Sequence, residues 1–131
     1  MTDDSTRNMQ HSTRSPKIDH RTFEFALLVI EAYRYLIERK EFVLSKQLLR
    51  SGTSIGANVH EAQAAQSKKD FISKMAVASK EARETDYWLR LLDSSGYLAD
   101  FDKKEVLYPE IGAVISVITK IVKTSAERYA R

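Results

Sequence analysis

At 131 residues the chain has room for one domain around one buried core and none for a second. Hydrophobic residues make up 43% and charged residues 30%, the balance of a folded globular protein, and the lack of any cysteine excludes disulfides, thiolate nucleophiles and cysteine metal sites. The formal net charge of +3, from 21 basic and 18 acidic residues, permits an anionic partner without demanding one, so where the charges lie matters more than their sum.

Residues 1–20 are polar, contain Pro16 and show no periodicity, which predicts a flexible N-terminal arm ahead of a single domain at residues 21–131. In the arm Arg7, Arg14 and Lys17 outnumber Asp3 and Asp4. It has no apolar segment of the signal-peptide kind, and no later run approaches the roughly 20 apolar residues of a membrane span, so a cytoplasmic protein with no membrane partner is expected.

From Thr22 the pattern is helical. Phe23, Ala26, Ile30, Tyr33 and Ile37 recur at spacings of three and four, and Phe25, Val29, Ala32 and Leu36 form a second apolar row beside them. A small bundle has core for one of these rows. The second, Phe25 to Leu36, is therefore expected to pack against a further element or another subunit.

Glu38 to Glu41 make a polar break, and a second helix is predicted from about Val43 to Ala65, with Leu44, Leu48, Ser51, Ile55, Val59 and Ala62 on one face. Gly52 and Gly56 interrupt it, each at a cost of about 1 kcal/mol relative to alanine. Because the apolar spacing continues across them, the helix is expected to run through, with both glycines on a face that a neighbouring backbone approaches closely.

Ser67 followed by Asp70 reads as the N-cap of a third helix, whose seam of Phe71, Met75, Ala78, Ala82, Thr85, Leu89 and Leu92 alternates steps of four and three and ends at Gly96. Asp102 with Glu105 resembles a capping box for a fourth helix carrying Leu107, Ile111, Val114, Ile118, Ile121 and Ser125. Pro109 should kink that helix or mark its true start. Four helices with short connections predict an all-α, antiparallel up-down-up-down four-helix bundle.

The run SGTSIGANVHEA at residues 51–62, then Ser67 to Phe71 and KEARETDYWLRLL at residues 80–92, resembles the bacterial four helix bundle protein family, also described as ribosomal-RNA intervening-sequence proteins. That family is related to the accessory variability protein of diversity-generating retroelements. The resemblance spans about Phe23 to Ala126, and His60 departs from it where a basic residue is more usual. It implies self-association into a ring of five subunits, with a basic surface that contacts nucleic acid and, in the retroelement branch, a reverse transcriptase.

Catalytic constellations are poorly supported. His60-Glu61 begins like a zinc helix, but Ala64 stands where the second histidine would be needed. Arg14 and His20 have the loose spacing of some helical-bundle RNases, yet both fall in the arm, where nothing would hold them in register. Glu61 with Asp70, or Glu81 with Glu84, could be drawn as metal carboxylates, but acids alternating with bases on a helix usually form a solvated, ion-paired face. No Gly-rich phosphate loop is present. No enzyme, cofactor, metal or small-molecule substrate is expected.

The candidate nucleic-acid contacts are Lys46 and Arg50 on the second helix and Lys68, Lys69 and Lys74 on the third, at two separate places on one subunit that only a ring would merge. Lys120, Lys123, Arg128 and Arg131 also offset the negative end of the fourth helix, and Tyr129 is the one aromatic residue clearly interleaved with basic ones. The function expected is a non-catalytic, self-associating adaptor for nucleic acid. A purely structural protein-protein bundle is the alternative, and an RNase a remoter one.

Overall fold

The computed structural model of the protein describes residues 16–130. It has four helices: α1 at Pro16–Glu38, α2 at Leu44–Ala62, α3 at Lys68–Ser94 and α4 at Lys104–Ala130. Each packs on the next in the chain and α4 returns to α1, giving the antiparallel up-down-up-down bundle. The rest of the expected arm, with Arg7 and Arg14, lies outside the described residues, as does Arg131.

The first helix begins at Pro16, six residues before Thr22, so Pro16 to His20 are helical and not arm. Proline suits a first turn because no helical acceptor awaits its missing N–H, and Asp19 adds a favourable charge at the positive end. The core seam of α1 is Ile18, Thr22, Phe25, Val29, Ala32 and Leu36, all buried at spacings of four and three. Phe25, Val29, Ala32 and Leu36 are fully buried within this one chain, which corrects their reading as an oligomer interface: they are helix-packing residues. The outward row is the other one: Phe23 is 61% exposed, and Ala26, Ile30, Tyr33 and Ile37 are half-buried. Thr22 hides the true seam from a hydrophobicity reading. It can be buried because its hydroxyl donates to the Ile18 carbonyl at 2.8 Å.

The break after α1 is a built turn. Glu41 N–H donates to the Leu36 carbonyl at 3.0 Å with Lys40 in the left-handed region, φ 67°. The Glu41 carboxylate, itself buried, then accepts from the backbone N–H groups of Val43, Leu44 and Ser45 at 3.2, 3.0 and 2.6 Å, satisfying the first donors of α2. Glu41→Ala is expected to cost about 1–2 kcal/mol, read as a lower urea midpoint. An unchanged midpoint would show that water replaces the carboxylate at no loss.

Helix α2 runs unbroken through both glycines. A Cβ on Gly52 would stand 2.7 Å from both methyl groups of Val29, and one on Gly56 would stand 3.2 Å from the Thr22 carbonyl oxygen, so the absence of side chains lets α1 and α2 close up. Between α2 and α3, the Thr85 hydroxyl lies 2.9 Å from that of Ser51 and donates to the Glu81 carbonyl at 2.8 Å, a satisfied polar contact within the core. Ser67 caps α3 by accepting from Asp70 N–H at 3.0 Å, and Gly96, at φ 92°, follows the end of that helix.

The fourth helix starts at Lys104, with the Lys103 carbonyl accepting from Val106 and Leu107, so the capping box expected at Asp102 is displaced. Pro109 lies inside the helix and does not set its start. Leu107, Ile111, Val114 and Ile118 form its buried seam. Arg21 with Glu110 at 2.6 Å and Lys103 with Glu31 at 2.9 Å tie α1 to the first turns of α4 and to the residue just before it.

Candidate nucleic-acid interface

Antiparallel pairing of α2 and α3 places Lys46 at the opposite end of the bundle from Lys68 and Lys69. Arg50 lies against two carboxylates of α3, 3.3 Å from Glu81 and in contact with Glu84, which also accepts from the Trp88 indole N–H. Lys74 pairs with Glu61 at 3.5 Å. The five expected contacts therefore do not form one surface. Arg50 and Lys74 have their charge matched within the chain, Lys46 stands apart, and Lys68 and Lys69 remain exposed together at the first turn of α3.

Other cations share the end of Lys68 and Lys69. The start of α1 contributes Lys17, and the last turns of α4 contribute Lys123 and Arg128, all exposed. Of the acids there, Asp19 faces His60 at 3.6 Å, Glu61 faces Lys74, and Asp70 accepts from Gln66 N–H at 3.3 Å, leaving Glu127 exposed on α4. At the opposite end Lys103 pairs with Glu31, Lys104 with Asp93 and Arg90 with Asp86, while Arg39, Lys40 and Lys46 are exposed. The hydrogen bond from Lys103 to Glu31 raises the lysine pKa, and the hydrogen bond from Arg21 to Glu110 raises that of the arginine. Burial, with Asp93 nearby, raises the Tyr108 phenol well above the usual tyrosine value, and its O–H donates to the Leu89 carbonyl at 2.7 Å.

A further surface feature lies on α3. On the outer face of α3, Arg83, Asp86, Tyr87, Arg90, Leu91 and Ser94 line a shallow groove of about 450 Å³. An aromatic residue between two arginines at spacings of four and three was legible, but the charge alternation around it resembled an ordinary ion-paired face.

His60 is exposed beside Asp19, and His20 is exposed on α1. Among the described residues no group of three His, Cys, Asp or Glu side chains could hold a metal ion, and no helix is long and apolar enough to cross a membrane.

The model of a family described as 23S rRNA-intervening sequence protein matches residues 15–120. Among solved structures, the chain is similar to a protein of unknown function from the S23 ribosomal protein family of Bacteroides thetaiotaomicron, with 44% identity and a TM-score of 0.76 over 81% of this chain and 98% of that one. No curated protein matches.

Proposed function

The chain belongs to the 23S rRNA-intervening sequence protein family, and from that membership we propose a non-catalytic, self-associating cytoplasmic adaptor that holds nucleic acid against the basic end of its bundle. What supports this reading is the up-down topology, which turns the exposed Lys17, Lys68, Lys69, Lys123 and Arg128, from three helices, toward the same end of the bundle. Contacts of this kind go to phosphates, so binding is salt-dependent and largely blind to sequence. The family name refers to 23S ribosomal RNA, which makes RNA the first ligand to test. A reverse transcriptase is the protein partner that kinship with retroelement accessory proteins suggests.

Self-association would use the outward side of α1 near its start, where Phe23 and its neighbour one turn on, Leu27, are exposed at 61% and 43%. A closed ring, of the five subunits that the family resemblance implies, repeats the basic end around one axis and sums its field. A second reading, a bundle that binds only protein, draws on the same apolar row.

Titration of a short RNA duplex at several salt concentrations tests the charge argument. The double variant Lys68→Ala, Lys69→Ala is expected to weaken binding and to flatten the salt dependence by about one unit of slope per lysine, while Lys46→Ala, at the other end, changes neither. Binding that ignores salt, or no binding at low salt, would refute the nucleic-acid reading and favour the protein-binding one.

A further inference from the structure

The groove on the outer face of α3 has a composition that neither the core nor the basic end of the bundle requires. Tyr87 is 58% exposed, although a phenol ring on a helix surface has apolar area to hide. It meets the Trp88 ring edge-on, with centroids 5.1 Å apart at 70°, which fixes its orientation and leaves a face open. Arg83 stands one turn before it and Arg90 one turn after, about 10 Å apart along the axis. Arg83 donates to the Thr119 hydroxyl at 3.0 Å and has further N–H donors to offer, while Arg90 is exposed and held only loosely by Asp86 at 3.4 Å.

We propose that this groove binds a nucleotide of single-stranded nucleic acid, with its base stacked on Tyr87 and its flanking phosphates on Arg83 and Arg90. Arginine forks match phosphate, and an aromatic face between them is what an unpaired base stacks on. A duplex keeps its base faces inside the stack, so Tyr87 selects single strands, which the basic end alone does not. Asp86, in the same groove, accepts from an exocyclic amino group, so cytidine fits better than uridine, which offers an oxygen there. This site deepens the nucleic-acid reading and rests on it.

Trp88 is the only tryptophan in the chain and touches Tyr87, so its fluorescence reports on the groove directly. Adding oligocytidylate to the full chain should quench it saturably. Tyr87→Leu should weaken oligocytidylate binding about tenfold and leave duplex binding unchanged, while Tyr87→Phe retains both. Oligouridylate should bind more weakly than oligocytidylate, and Asp86→Ala should remove the difference. If the wild-type chain binds neither strand form, the nucleic-acid reading fails and this site with it. If the wild type binds but Tyr87→Leu holds the single strand equally well, the groove proposal alone is overturned and the face is left to a protein partner. Equal affinity of the wild type for the two homopolymers would overturn the role given to Asp86.

Discussion

Gly52→Leu is expected to abolish folding, and Gly52→Ala to destabilise the bundle even though alanine is the better helix former. On intrinsic propensity alone, alanine in mid-helix should gain about 1 kcal/mol over glycine. Against that gain stands Val29, whose two methyl groups lie 2.7 Å from the position a Cβ at residue 52 would take. Val29 is fully buried, and a β-branched side chain in a helix has one strongly preferred rotamer, so it cannot swing aside. Relief must come from separating α1 and α2, and overpacking of this kind costs about 1–3 kcal/mol. The net expectation for Gly52→Ala is a lower urea midpoint.

A second substitution makes the reasoning specific. With Val29→Ala the colliding methyl groups are gone, so Gly52→Ala in that background should cost less than it does alone, a coupling readable in a double-mutant cycle. Gly56 is less adaptable in one respect, since its close neighbour is the backbone carbonyl of Thr22, which no rotamer change can move. Gly56→Leu should therefore also fail to give stable protein. A stabilised Gly52→Ala variant would show that the helices do not approach as closely as 2.7 Å implies.

The fold was legible because the seams of α2, α3 and α4 carry mostly apolar residues at bundle spacing. Leu48, Ile55 and Val59, Met75 to Leu92, and Leu107 to Ile118 are buried as their periodicity requires. The seam of α1 is hard to read because both of its rows are apolar, and the row that enters the core passes through a threonine and begins at Ile18, within the stretch whose composition suggests an arm. Periodicity locates apolar rows; it does not say which one faces inward when a helix has two.

The site was less legible than the fold, for a related reason. A basic residue reads as a binding residue only while its partner is unknown. Arg50 finds Glu81 and Glu84 some thirty positions along the chain, and Lys74 finds Glu61 across the connection between α2 and α3, pairings that follow from the bundle register and from no local motif. Conversely, Lys17, Lys123 and Arg128 join Lys68 and Lys69 only when up-down topology gathers helix ends that are distant in sequence.

The two rows of α1 supply the sharpest separation of packing from assembly. Phe25 is fully buried, and truncating it to alanine removes a ring from the centre of the core, with an expected loss of about 3–5 kcal/mol in urea unfolding. Two residues earlier the same chemistry should give a different result. Phe23 is 61% exposed, so Phe23→Asp deletes no buried contact of comparable size and should leave intrinsic stability within about 0.5 kcal/mol. Its effect should appear in molar mass, because a carboxylate placed in an apolar interface must be desolvated there without a partner. Light scattering should find the wild type assembled and Phe23→Asp dissociated but folded. Equal loss of stability in the two variants would mean that the rows share one core, and a wild-type monomer at micromolar concentration would remove the outward row from any role in self-association.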